Sequence, residues 1–149
     1  MPILKIETGA DNPILRQKAK KIKKINSQIK EFSFALVKML KDDDNAAGLA
    51  APQVGHSFRI IAVKHSANED PIALINPEIK KTSFRKDTIE EGCLSLPNIL
   101  VSVKRPIKIT AEALDINGKT IKIKAKGFLA RVIQHEVDHL NGILIVDYA

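Results

Sequence analysis

The sequence predicts an α+β fold in which antiparallel-leaning β-sheets pack around a central helix. Three observations carry this expectation. Short β-rich runs fill the middle of the chain, and two of them flank Asn117-Gly118, a strong hairpin-turn signal. Asn26 to Lys41 repeats apolar residues at helical spacing. A second helical pattern, Gly127 to Leu140, contains His135-Glu136-Val137-Asp138-His139, an HExxH.

The elements follow in order. Ile29, Phe32, Leu36, Val37 and Leu40 mark the buried face of the first helix, and Asn26 or Ser27 can cap its start. Asp42-Asp43-Asp44-Asn45 ends it as a solvated turn, without the alternating ligands and terminal Glu of a calcium loop. Gly48-Leu49-Ala50-Ala51-Pro52-Gln53-Val54-Gly55 then reads as a loop or turn that lets backbone approach a ligand closely. Strands are expected at 58–63, 72–75, 100–103, 107–116 and 120–125. In Ile121-Lys122-Ile123-Lys124, alternation puts Ile on one face and Lys on the other. The last helix runs to Leu140, with Asn141-Gly142 as its stop.

Composition narrows the class. The 149 residues suit one domain, 1–149, and 44% are apolar, enough for a core that is aliphatic because Trp is absent. One cysteine excludes an internal disulfide and fits a reducing compartment. No apolar run spans a bilayer, and Met1-Pro2-Ile3-Leu4-Lys5 lacks a signal-peptide layout, so a cytoplasmic protein is expected. The net charge is +7, and six of the nine residues from Arg16 to Lys24 are basic. That run can attract RNA or the ribosome surface, or it can be a solvated face. No aromatic platform accompanies the lysines, and nothing points to specific DNA binding. A monomer is expected.

The HExxH carries the chemistry. On a helix, His135 and His139 lie one turn apart on one face and can reach one metal ion, while Glu136 flanks it as general base. Catalytic sites of this type usually take a third protein ligand. After His139 the sequence offers only Asp147 as an oxygen-donor acid, and no His or Cys. The ligand is therefore sought upstream, where Cys93 in Glu91-Gly92-Cys93-Leu94-Ser95 is the leading candidate, although a lone Cys is more often a core residue. One thiolate and two imidazoles suit Zn2+, Fe2+, Ni2+ or Co2+ alike. Counting back from His135 along the helix gives Arg131, Val132 and Phe128 as lining for a cavity beside the metal.

Taken in order, GLAAPQVG, EGCLS and Gln134-His135-Glu136-Val137-Asp138-His139-Leu140 closely resemble the three signature motifs of peptide deformylases, over about Pro2 to Tyr148. That family removes formate from the N-formylmethionine of newly made proteins. The resemblance implies a metal site of Cys93, His135 and His139, with Fe2+ as the physiological ion. It implies that the Gln53 amide and the Leu94 N–H face the developing oxyanion; one short strand at Cys93-Leu94 can place both ligand and donor. It also implies that an N-formylmethionyl peptide lies extended near Ala47, Gly48 and Gly92, its methionine in a pocket drawn from the Phe128, Arg131 and Val132 stretch. The cytoplasm would be that of a bacterium, an organelle or a phage-infected cell.

The chain departs from the family pattern at several points. Ala46 replaces the first Gly of the first motif and would be strained if that position needed positive φ. Arg131 stands where an apolar residue is common, and is expected either to snorkel to solvent or to alter acceptance of the second residue. Asn98-Ile99-Leu100 lacks the Arg found there in many bacterial members. With its last residue at Ala149, the sequence reads as a short form without the C-terminal helix implicated in ribosome docking. Two alternatives stay open: an HExxH endopeptidase of other specificity, and an inactive homologue acting as a ribosome- or RNA-binding module.

Overall fold

A computed structural model describes residues 4–66 and 68–149. The reading of Met1-Pro2-Ile3 as no signal peptide falls outside these residues. The expected α+β architecture is present. A short helix α1 (Pro13–Arg16) precedes α2 (Ser27–Lys41). Then come β1 (Gly48–Ala50), β2 (Ile60–Val63), β3 (Ile72–Thr82), β4 (Lys86–Cys93), β5 (Leu96–Pro106), β6 (Lys108–Leu114) and β7 (Thr120–Lys126), and finally α3 (Gly127–Leu140). One sheet has the order β1-β2-β3-β6-β7, and β4-β5 form a second sheet. Every pairing between these strands is antiparallel.

The larger sheet lies between the two long helices. β2 shows how: Ile60 and Ala62 pack with Phe32, Leu36 and Leu40 of α2, whereas Ile61 and Val63 pack with Ile133, Val137 and Leu140 of α3. Successive side chains of a strand point to opposite faces, so a strand covered on both sides reads as a continuous apolar run. Each fully buried Leu or Ile contributes about 1.5–3 kcal/mol, so these two interfaces dominate stability. Asn26 caps α2 by accepting the Ile29 N–H at 2.9 Å. A third cluster joins Leu96 and Val103 of β5 to Leu15, Leu144 and Ile145.

Several boundaries differ from expectation. β3 and β5 extend well beyond 72–75 and 100–103, and β4 was expected only as a short strand at Cys93-Leu94, not from Lys86. Residues 86–90 of β4 are all exposed, so no buried alternation marks the strand. The GLAAPQVG segment is β1 followed by a 3₁₀ turn, Ala51–Val54, not a plain loop. The β6–β7 hairpin closes early because the Asp115 side chain accepts the N–H groups of Asn117 and Lys119, with Gly118 at φ 80°.

The C-terminal end of α3 is pinned by distant chain. The Ala19 N–H and the Arg59 guanidinium both donate to the Leu140 carbonyl, at 2.8 and 3.0 Å. The basic run therefore has a structural side: Ala19 and Ile22 are buried while Lys18, Lys20, Lys21, Lys23 and Lys24 remain exposed.

Candidate active site

α3 enters the core with Ala130, Ile133, Val137 and Leu140 against the sheet. That orientation turns His135 and His139 toward β4 and Glu136 toward Gly48 of β1. At the tip of the hairpin, Cys93 pairs with Leu96 and leaves Leu94-Ser95 as a two-residue turn. Ligand atoms of Cys93, His135 and His139 all lie within 4.8 Å of one another, with Cys93 Sγ 3.4 Å from His139 Nε2. A sulfur and two imidazole nitrogens converging this closely fit a tetrahedral-type divalent ion with one position left for water. Glu136 fits as well: it is buried, and its Oε1 has no hydrogen-bond partner among the described residues. A buried polar atom without a partner is costly and points to a missing ligand.

The 3₁₀ turn after β1 delivers Gln53. Its Oε1 accepts the Ala50 N–H at 3.0 Å, which fixes the amide and aims Nε2 at Ser95 Oγ (3.2 Å) and Cys93 Sγ (3.6 Å). The donor end of the side chain thus meets the sulfur that joins the two histidines.

A cleft of about 400 Å³ opens over this group. Ala47 and Gly48 before the 3₁₀ turn, Gly92 and Leu94 at the hairpin tip, and Phe128, Arg131 and Val132 of α3 all line it. Among the described residues β1 pairs only with β2, and β4 only with β5, so each presents a strand edge without a partner there. The Ala47 carbonyl already accepts the Lys64 N–H at 3.0 Å. Gly48 is required by space: a Cβ there would lie 2.7 Å from Glu136 Oε2 and 2.8 Å from Val132 Cγ1. Ala46 is not at positive φ, so the expected strain does not arise.

Arg131 corrects the snorkelling expectation. It is 5% exposed, pairs with Glu91 Oε2 and with Asp87 Oδ1 at 2.8 Å, and donates to the Val103 carbonyl at 2.9 Å. Its guanidinium is spent inside the protein.

Sequence reading assigned no role to Glu91, Arg105 or Asp138, which form a buried network behind the ligands. Glu91 Oε1 lies 2.9 Å from His135 Nδ1. Arg105 grips Glu91 through Nε (2.7 Å) and Nη2 (3.0 Å) and reaches Asp138 through Nη1 (2.8 Å). A carboxylate on Nδ1 holds that nitrogen protonated, so Nε2 keeps its lone pair for a metal. Strand alternation gave no signal for this, because the β4–β5 register shifts between Glu91 and Cys93.

The charges follow from this packing. Burial would raise the Glu91 carboxyl, but hydrogen bonds from His135, Arg105 and Arg131 outweigh it and hold it down to about 2. Burial opposes protonation of His135, yet its bonds to Cys93 and Glu91 lift it to about 10, so a bound ion would have to displace the Nε2 proton. Burial keeps His139 neutral, well below the ordinary imidazole value. Burial pushes Glu136 up to about 7, where a carboxylate can both take and return a proton.

The comparisons agree with this picture. The family model described as polypeptide deformylase matches residues 3–149. The peptide deformylase of Dictyoglomus thermophilum is 51% identical over 138 residues, covering 93% of this chain and 88% of that protein. That of Halothermothrix orenii is 46% identical over 147 residues, covering 99% and 94%. Among solved structures, peptide deformylase from Thermotoga maritima superposes with a TM-score of 0.90 at 36% identity, covering 99% of this chain and 98% of that one. The Synechococcus elongatus peptide deformylase, solved in complex with actinonin, gives 0.91 at 36% identity, covering 100% and 80%.

Proposed function

This chain belongs to the polypeptide deformylase family, and from that premise we propose how its own residues divide the work. The protein is a metal-dependent hydrolase that removes the formyl group from N-formylmethionine at the start of newly made polypeptides, releasing formate. The endopeptidase and inactive-module alternatives are not favoured. We take residues 1–149 as one catalytic domain.

Cys93, His135 and His139 would hold one divalent ion, Fe2+ in our reading, with Zn2+, Ni2+ or Co2+ as substitutes. When bound, such an ion lowers the pKa of water and polarises the formyl oxygen. Glu136 takes the proton from the attacking water and hands it to the leaving amine. Its burial suits both steps, because the carboxyl can switch charge near neutral pH. The Gln53 amide, pinned by Ala50, and the Leu94 N–H at the hairpin tip would donate to the oxyanion. The bond from Ala50 holds the Gln53 amide in place, so Nε2 has only to exchange a present acceptor, Ser95 Oγ or Cys93 Sγ, for the oxyanion.

The peptide would lie as an added strand between the edges of β1 and β4, touching Ala47, Gly48 and Gly92. Main-chain bonds of that kind bind without demanding a sequence, which suits an enzyme for many nascent chains. The methionine would enter the space bounded by Phe128, Val132 and the Arg131 stem. We further propose a cytoplasmic monomer with weak ribosome association through the exposed lysines of residues 18–24. No helix among the described residues is long and apolar enough to cross a membrane.

One observation carries the residue assignment: three ligand atoms within 4.8 Å at the floor of a cleft, beside a buried carboxylate with a partnerless oxygen. The test is formate release from a formyl-Met tripeptide by anaerobically purified, iron- or nickel-loaded protein. Release by the wild type, and near-total loss in Glu136→Ala with the metal retained, is the expected result. No release from folded, metal-loaded wild type would overturn the reading.

A further inference from the structure

His135 is oriented through a chain of contacts that ends far from the cleft. Its Nδ1 bonds Glu91, and Glu91 is gripped by Arg105. Arg105 also serves a second carboxylate, because Nη1 donates to Asp138 Oδ2 at 2.8 Å. Two carboxylates therefore compete for one guanidinium. A third group moderates the competition. Tyr148, in the 3₁₀ turn Ile145–Tyr148, donates its hydroxyl to the same Asp138 Oδ2 at 2.6 Å. Its ring lies under the guanidinium, 5.0 Å from Arg105 Cζ, and its oxygen accepts from Nη1 at 3.4 Å.

We propose that Tyr148 is a positioning residue for the metal site, holding Arg105 on Glu91, and so His135 in its ligating orientation, by satisfying Asp138. The argument is one of donor supply. Asp138 is mostly buried, and Arg105 is 4% exposed. Without the phenol O–H, Asp138 must draw more on Arg105, and the guanidinium turns away from Glu91. Glu91 would then hold the imidazole less firmly. Outer partners of metal ligands set affinity by fixing ring orientation and tautomer. The ring of Tyr148 shields the same guanidinium from solvent, so hydroxyl and ring act on one target.

The segment that carries Tyr148 has its own anchors. Leu144 and Ile145 are buried, and Asp147 forms two bonds to Arg16, at 2.6 and 3.1 Å. That separates a structural role from a positioning one. Asp147→Asn weakens the docking of the segment without touching the relay. Tyr148→Phe removes one hydroxyl and leaves the docking intact.

This inference rests on the metal assignment of the proposed function, and its readout is metal retention, not turnover. Zinc-loaded wild type and variants are mixed with excess chromogenic chelator, and the rate of zinc transfer is followed. A direct partner of a ligand is worth about 10–100-fold in affinity. Tyr148 acts through Asp138 and Arg105, three contacts beyond Glu91, so Tyr148→Phe should release zinc about 2- to 5-fold faster at an unchanged melting temperature. Asp147→Asn should lower the melting temperature and release zinc at the wild-type rate. In an Asp138→Asn background, Tyr148→Phe should add nothing, because the relay is already broken. Wild-type release by Tyr148→Phe, equal acceleration by Asp147→Asn, or full additivity with Asp138→Asn would each overturn the proposal. Formate release by the wild type is measured alongside. Its absence would sink the deformylase assignment and leave the retention comparison intact.

Discussion

Gly48→Ala should disable the site while sparing the fold. The added Cβ would stand 2.7 Å from Glu136 Oε2, 2.8 Å from Glu136 Cγ and 2.8 Å from Val132 Cγ1. Carbon contacts are comfortable from about 3.5 Å, so the carboxylate must retreat on the order of 0.7 Å. Gly48 is not in the left-handed region, so the backbone itself accepts Ala. The effect is then a collision with the proposed base. A misplacement of about 1 Å costs on the order of 10²-fold in rate, or about 2.7 kcal/mol of transition-state stabilisation. Overpacking costs about 1–3 kcal/mol of stability, but Glu136 has the open cleft to move into, so the low end applies. The assay pairs kcat/KM for a formyl-Met tripeptide with thermal unfolding of the same sample. Gly127→Ala is the contrast: it has positive φ and nothing within 4 Å of its Cβ, so it should cost about 1–2 kcal/mol of stability and little activity. A Gly48→Ala protein with wild-type kcat/KM would refute the claim that this glycine exists to make room for Glu136.

Three further outcomes are expected. Arg105→Met leaves Glu91 and Asp138 as buried charges without their main partner, at a cost of about 3–5 kcal/mol; calorimetry should show a melting temperature lowered by roughly 10 °C or more. Metal-free protein should lose stability in acid because of Glu91: its folded pKa lies below the ordinary carboxyl value, so its contribution is whole above about pH 4.5 and fades as pH falls toward 2. In urea titrations Glu91→Gln should flatten that slope, and an unchanged slope would show that the carboxylate is not the source. Asn26→Ala removes the cap on α2 and should cost about 1 kcal/mol, a loss that chemical unfolding resolves without any change in activity.

The parts of the molecule legible in the sequence are those where one local rule governs. α3 was placed from Gly127 to Leu140 because its apolar period, its Asn-Gly stop and its HExxH agree. α2 was clear for the same reason, down to the Asn26 cap. Most of β4 was hidden because its exposed charged side chains carry no burial pattern, although it holds Glu91 and Cys93. The far half of β3 was hidden likewise. In the site, Cys93, His135 and His139 could be singled out as candidate ligands because their chemistry is distinctive, and the fold brings them together. Arg105 and Tyr148 could not, since an arginine on a strand and a tyrosine after a helix acquire meaning only when folding brings them to Asp138. Only the snorkelling of Arg131 is overturned, because its partners, Asp87 and Glu91, lie forty or more positions upstream.

The division into two sheets has a consequence for motion and for folding. Cys93, Leu94 and Glu91 ride on the small sheet and its tip, whereas His135, Glu136 and His139 ride on the helix packed against the large one. The proposed reaction centre is therefore a seam. Hydrogen–deuterium exchange should find the hairpin of β4 and β5 opening at a lower free energy than β2 and the Leu74-Ile75 part of β3, which are covered on both faces. During refolding, α3 can form from its own residues within microseconds, yet it finds its thiol partner only after closing a loop of more than forty residues. Ion-binding competence should accordingly arrive as a late kinetic phase, after the helical signal is complete.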